Sequence, residues 1–216
     1  MGELSTGMQF AWQMAAVEAL ASSHELIEPV HLLIGVCSVE KLFAPEIKER
    51  LQIPEDSVIE ARTEWDELSA LFGIAGAQPA DLRRKLRVAL GQGKCADQNR
   101  KEISRSDTSR ALFKRAAALS KDRGVSKTGL RYLLSAMLED EAGPVYLMLG
   151  GQGVSAADLR KAAMQPCAEG VIRLAGGPTA STPYLTKYGK DLTALAKDGK
   201  LHPCIGRREE LLQVVR

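Results

Sequence analysis

Apolar residues recur at three- and four-residue steps through most of the first 165 positions. Between Met8 and Ser22 the stripe runs through Phe10, Met14, Val17 and Ala21, with Ala11 and Ala15 beside it. That is the period of a helix buried along one face. Ser22-Ser23-His24 interrupts the pattern, and Glu28-Pro29 opens a second helix, because proline suits a first turn whose N–H has no partner. Val30–Cys37 is apolar on most sides, which predicts a helix inside the core. Ala44–Leu51 reads as a short third helix. Pro54-Glu55-Asp56 starts a fourth, with acids at the positive end of the helix dipole. Four more helices are expected over Thr108–Arg123, Ser126–Glu139, Pro144–Leu149 and Ser155–Met164. Alternating β-branched stretches are scarce, so the fold class predicted is all-α, with about eight helices and little strand.

The two sets of four are copies of one another. Phe10–Ala19 aligns with Ala111–Ser120, placing Trp12 on Phe113 and Ala15-Ala16 on Ala116-Ala117. The same offset of 101 places His31–Val36 on Tyr132–Met137. Two blocks matched at a single spacing identify a tandem repeat of two four-helix units. Between the copies lies an extra stretch, Ser69–Lys101, in which Pro79-Ala80-Asp81 starts a helix carrying Arg83, Arg84, Lys85 and Arg87. Gly91-Gln92-Gly93 ends it, and a polar loop follows with Arg100, Lys101 and Arg105. This basic stretch could dock an acidic adaptor or protein substrate, but a solvated helix face with a mobile loop is the favoured expectation.

Composition narrows the classes of function. The chain has 216 residues, 45% hydrophobic and 26% charged, with a net charge of +2, so nothing in it pushes towards nucleic acid or an anionic membrane. No apolar run approaches the roughly 18 residues that would span a bilayer. Met1-Gly2 with Thr6 matches a short acylation signal but reads as an ordinary exposed start. Cys37, Cys95, Cys167 and Cys204 are scattered, which favours free thiols over a zinc site or a disulfide frame. No catalytic constellation is visible, and no metal site is expected. His31 reads as a packed, hydrogen-bonded core residue, and Gly150-Gly151-Gln152-Gly153 reads as a turn, since the Lys-Ser/Thr of a phosphate loop is missing.

The last residues carry the most specific motif. Asp191-Leu192-Thr193-Ala194-Leu195-Ala196 is followed by Gly199 and then by Leu201-His202-Pro203-Cys204-Ile205-Gly206-Arg207. This run resembles the entry into the first ATPase module of Clp-type AAA+ protein unfoldases, the ClpA, ClpB and ClpC group. The repeat also resembles their N-terminal domain, through Ala15, Ala19 and His31-Leu32-Leu33-Ile34-Gly35 in one copy and Ala116 and Leu133-Leu134 in the other. The organisation expected is a double-repeat helical domain over 1–165, a flexible linker over 166–183 and the start of an ATPase module over 184–216. The linker is small and polar (Gly176-Gly177-Pro178-Thr179-Ala180-Ser181-Thr182-Pro183), and Val171-Ile172-Arg173-Leu174 before it is a possible short strand.

The resemblance implies a domain that receives protein substrates or adaptors and feeds an ATP-driven ring. A peptidase is a possible further partner, the fragment is expected as a monomer and the parent as a hexamer, and the compartment as cytoplasmic. By the same resemblance the hydroxyl positions of an adaptor or substrate groove fall on Ser5 and Ser106. Its acidic positions fall on Val30 and Arg131, neither of which can bind a guanidinium. Phosphoarginine recognition is therefore not expected, whereas an apolar cleft for exposed hydrophobic segments is. Cys204, Ile205 and Gly206 would border adenine in the intact parent, whose cofactors are ATP and magnesium. The fragment alone is expected to bind no cofactor and to catalyse nothing. Two alternatives remain: a stand-alone adaptor-docking protein of the same fold without a motor, and a nucleic-acid binder using the Arg83–Arg105 stretch.

Overall fold

The computed structural model describes residues 3–47, 52–95 and 100–165. Their elements, in order, are β1 (Glu3–Leu4), α1 (Thr6–Ala21), α2 (Pro29–Val36), a 3₁₀ helix (Val39–Phe43), α3 (Glu55–Ile74), α4 (Pro79–Leu90), α5 (Asp107–Asp122), β2 (Lys127–Thr128), α6 (Leu130–Leu138), α7 (Pro144–Gly151) and α8 (Ala156–Met164). The fold is therefore helical, with two short strands among the described residues. A further helix starts at Pro45, within the expected Ala44–Leu51, and its end lies outside the described residues. The expected linker, the segment Val171–Leu174 and the stretch 184–216 also lie outside them.

The offset of 101 read from the apolar pattern is kept by the backbone. α1 and α5 are both 16 residues long and start from Ser5 and Ser106. These two caps have nearly identical torsions, φ −63°, ψ 160° and φ −62°, ψ 163°. Each serine oxygen accepts the N–H three residues on, from Met8 and Ser109 respectively, at 3.2 Å. Such a cap satisfies one of the donors that a helix start leaves unpaired. α2 and α6 begin in register, at Pro29 and Leu130, as do α3 and α8, at Glu55 and Ala156.

Two boundaries differ from the sequence expectation. α6 begins at Leu130 and not at Ser126, because Lys127-Thr128 pairs with β1 and Gly129 takes the extended cap conformation. α3 continues to Ile74, so Ser69, the expected start of the extra stretch, lies within a helix. Its apolar stripe, Ala61, Trp65, Leu68 and Phe72, runs without interruption through that point and keeps the helix on the core. α8, its counterpart, ends at Met164, the position matching Thr63. The asymmetry between the copies therefore starts with Glu64.

α2 is buried along its whole length, Pro29 to Val36, as its apolar composition predicts. It packs most extensively on α1, and the closeness depends on Gly35. A β-carbon at Gly35 would lie 2.1 Å from the carbonyl oxygen of Ala11 and 3.1 Å from the backbone nitrogen of Ala15. The matching position in the second copy is Ala136. Around this pair one continuous core joins both copies, with Met8, Leu33, Phe72, Leu86, Phe113, Leu133 and Leu159 fully or almost fully buried.

Gly35→Ala is expected to destabilise the fold by about 1–3 kcal/mol, the usual cost of overpacking, read as a lower denaturant midpoint with an unchanged slope. Gly73→Ala, near the end of α3 with nothing within 4 Å of an added methyl, should instead raise stability by about 0.5–1 kcal/mol through helix propensity. Equal effects at the two sites would contradict the close-approach account.

Candidate functional site

The residues matched to the groove positions come together in two places, each built from both copies. Leu4 pairs with Thr128 in parallel register, and the N–H of Ser5 donates to the carbonyl of Thr128 at 3.0 Å. At the equivalent place Arg105 pairs with Ile27, and the N–H of Ser106 donates to the carbonyl of Ile27 at 3.1 Å. Each copy therefore lays its leading residues against the strand that enters the second helix of the other. Ser5 is placed beside the start of α6, where Arg131 lies, and Ser106 beside the start of α2, where Val30 lies.

The first junction is filled by α3. Three carboxylates, Glu60, Glu64 and Glu67, form a stripe along it at spacings of four and three residues, the spacing of neighbours on one helix face. Glu60 accepts from Lys127 Nζ at 2.9 Å and from Thr6 Oγ1 at 3.3 Å. Glu64 accepts from Ser5 Oγ at 2.9 Å and from the backbone N–H of Leu130 at 3.3 Å. Glu67 is ion-paired with Arg131. Burial, reinforced by the charges of Glu60 and Glu67 and opposed by the bonds from Ser5 and Leu130, raises the Glu64 carboxyl to about 7. Glycine flanks that carboxyl on two sides: a β-carbon at Gly7 would lie 2.8 Å, and one at Gly129 3.1 Å, from its oxygens.

Arg131 spends its guanidinium inside the domain. Besides Glu67 it donates from Nε to the carbonyl of Ala163 at 2.9 Å, and from its terminal nitrogens to those of Ala162 and Gln165. It ties α6 to the end of α8. Between α3 and the segment that runs from Val125 into the start of α6 is a cleft of about 350 Å³ whose walls include Val125, Lys127, Leu130, Arg131, Tyr132 and the three glutamates.

The second junction holds no carboxylate stripe. Ser109 Oγ donates to the carbonyl of Ile27 at 2.7 Å and accepts from Ser106 Oγ at 3.2 Å. Val30 is buried at 5% exposure and Ser106 at 6%. Beside them the Arg105 guanidinium lies 4.3 Å from the ring centre of Trp12 and 4.6 Å from that of Phe113. The two rings, which are repeat equivalents, meet edge to face at 5.6 Å. This is cation–π geometry.

The basic helix of the extra stretch is partly tied to the first copy. Arg87 holds Glu18 of α1 through two bonds, one of them Nε to Oε1 at 2.6 Å. Arg83 reaches Glu40 at 3.3 Å with only 14% of its side chain exposed, and Arg84 pairs with Asp81 in its own helix. Arg100 donates to the carbonyls of His24 and Glu25. These side chains fasten α4 and its loop to the first copy. Arg84, Lys85 and Arg87 remain exposed, so the expected solvated face is present, with Arg83, Arg87 and Arg100 also tied to the first copy.

His31 is fully buried, and its Nδ1 accepts the backbone N–H of Glu28 at 2.9 Å. Burial, aided by His24 and opposed by Glu18 and the Glu28 bond, lowers its pKa to about 4. It is a neutral core histidine, as expected. Cys37 is buried and its thiol is pushed up to about 12, which makes it unreactive. Among the described residues no group of three or more His, Cys, Asp or Glu side chains is arranged to hold a metal ion, and no helix there is long and apolar enough to cross a membrane. Cys204, Ile205 and Gly206 lie outside the described residues. The carboxylate stripe of α3 was missed by the sequence reading; Glu60, Glu64 and Glu67 beside Ala61, Trp65 and Leu68 are its signal.

No family model matches the chain. Among curated proteins it is 26% identical over 209 residues to the chaperone ClpB of Bdellovibrio bacteriovorus, covering 96% of this chain and 21% of that one. It is 25% identical over 226 residues to the ATP-binding subunit ClpC of the Clp protease from Staphylococcus saprophyticus, covering 99% of this chain and 23% of that one. The chain thus spans about a fifth of the length of these relatives. Among solved structures it is similar to the Hsp104 N-terminal domain from Candida albicans, with a TM-score of 0.54 at 15% identity, covering 76% of this chain and 90% of that one. The N-terminal domain of ClpD from Arabidopsis thaliana matches with a TM-score of 0.50 at 12% identity, over 74% and 92% of the two chains. Likeness to ClpB and ClpC along nearly the whole chain, together with the fold shared with the Hsp104 and ClpD N-terminal domains, supports a Clp-type N-terminal domain over the described residues.

Proposed function

We propose that this domain receives protein substrates or adaptors for an ATP-driven Clp-type unfoldase and presents them to its ring. The observation that carries the reading is the cleft of about 350 Å³ at the first junction, which both copies build. It combines apolar wall from Val125, Leu130 and Tyr132 with carboxylates along α3. A recess with this apolar wall suits an exposed hydrophobic side chain of an unfolded segment; Glu60 and Glu67 in it are already paired with Lys127 and Arg131. Val125 is 43% exposed, so its methyl groups are available to such a segment.

In this reading the residues after 165 act as a tether. A small polar linker of some fifteen residues would span roughly 20 Å as a coil, enough to raise the concentration of captured protein near a pore. Cys204, Ile205 and Gly206 would then border adenine in the longer protein, with ATP and magnesium as its cofactors. The double-repeat domain itself supplies capture, not chemistry.

Photo-crosslinking groups placed at positions 125 and 132 should label a permanently unfolded protein. Labels confined to residues 166–183 would sink the cleft as the receiving site. Val125→Asp should weaken capture by about tenfold or more, the equivalent of losing one buried valine contact, while leaving the melting temperature within a degree or two. Duplex DNA should bind weakly at physiological salt; tight binding with a steep salt slope would instead support the nucleic-acid alternative. In the source gene, a GxxxxGK[ST] loop soon after position 216 is expected, and its absence would favour the stand-alone docking protein.

A further inference from the structure

At the second junction the fold holds an arginine in place without giving it an anion. Arg105 stands immediately before the cap of α5, where the first copy has Leu4 at the same offset of 101. Its guanidinium lies 4.3 Å from the ring centre of Trp12 and 4.6 Å from that of Phe113, so rings from α1 and α5 hold it from both copies. Nη1 is buried and has no hydrogen-bond partner, while the residue as a whole stays partly exposed. No carboxylate among the described residues is ion-paired with it. Arg83 and Arg131, buried to a similar degree, are each met by a glutamate. We propose that Arg105 is a binding point for a carboxylate, supplied by an acidic side chain that lies next to an apolar one in an extended segment of another protein.

Three physical effects favour an anion from outside. A guanidinium taken partly out of water gains more from a carboxylate than a fully solvated one, because the pair is less screened. The two rings already restrict the side chain, so little rotamer freedom is left to lose on binding. The charge is delocalised over the whole guanidinium, so an anion at its open edge also offsets the cost of the part that is buried and unpaired. Burial, together with the charge of Arg110, lowers the Arg105 pKa, whereas the bond from Glu139 raises that of Arg115. That contrast agrees with a cation that lacks a carboxylate beside it.

The surroundings select the class of anion. A phosphate dianion calls for a second cation or a row of free donors. Arg110, whose charge reaches Arg105, is tied to Asp107 at 3.0 Å. The hydroxyls of Ser106 and Ser109 are committed as well, the first to the second and the second to the carbonyl of Ile27. What remains is one guanidinium beside the partly exposed ring of Trp12, which suits one carboxylate with an apolar neighbour resting on the ring. The two junctions thus offer opposite charge at equivalent places, glutamates at the first and an arginine at the second. Arg105 plays this part whether or not the cleft at the first junction receives substrate.

The test uses a terminally blocked peptide with a central Leu-Glu-Leu and its Leu-Gln-Leu counterpart, each titrated into the whole chain. Affinity is read by calorimetry and location by the indole N–H resonance of Trp12. The glutamate peptide should bind about tenfold more tightly, the size of one charge-assisted hydrogen bond, and should move the Trp12 signal. Arg105→Gln should abolish that preference, and Arg105→Lys should keep part of it. Equal affinity of the two peptides for the native chain, or a preference that survives Arg105→Gln, would overturn the proposal. Tighter binding of inorganic phosphate than of the glutamate peptide would overturn the choice of carboxylate. Should Arg105→Gln fail to fold, the Arg105 Nε–Hε resonance of the native chain decides: a shift with the glutamate peptide alone supports the site, and identical responses to both peptides refute it.

Discussion

The fold depends on a reciprocal exchange of hydrogen bonds. Ser5 and Ser106 each close a helix start with the side chain, and each gives its backbone N–H to the opposite copy, at Thr128 and Ile27. Neither copy can satisfy these groups alone, because the partner carbonyl belongs to the other. A buried N–H left without a partner costs on the order of 1–3 kcal/mol, so two such bonds weigh heavily against the marginal stability of a domain this size. The continuous core, the convergence of helix starts on Glu64 and the stacking of Arg105 on two aromatic rings follow from that crossing.

Much of this architecture was legible in the sequence because it rests on period. The 101-residue offset and the buried α2 are consequences of repeated local patterns, and local patterns survive in sequence. His31 was legible as a core residue for the same reason, lying on a helix apolar all round. What escaped was partner choice. The acidic face of α3 and the basic face of α4 look alike in a sequence whether they meet solvent or each other's neighbours. Arg83, Arg87 and Arg131 became internal fasteners because carboxylates distant in the chain (Glu40, Glu18 and Glu67) arrive opposite them on folding. The start of α6 was misread for a related reason: Lys127-Thr128 is drawn into a strand by β1, more than 120 residues earlier.

The two junctions have diverged while their backbones stayed equivalent. One carries a stripe of carboxylates and a cleft, and the other carries Ser109, Val30 and an arginine packed on rings. The divergence traces to the extension of α3 past the point where α8 ends. Eleven added residues bring Glu64 and Glu67 over one helix start and leave the other to side chains of the repeat itself. The extension of α3 is therefore part of the first junction. The arginines of α4 bind the extra segment to the first copy while α3 reaches the second.

The crossing of leading strands gives the molecule the geometry of a swapped twofold dimer written into one chain. In such a dimer each subunit lends a terminal segment to its neighbour, and the symmetric contact closes on itself. Joining the subunits end to end makes the exchange intramolecular, so it no longer depends on concentration. It also lets the two halves of a formerly symmetric interface change independently. A segment such as α4, inserted where the halves are joined, breaks the symmetry without opening the exchange.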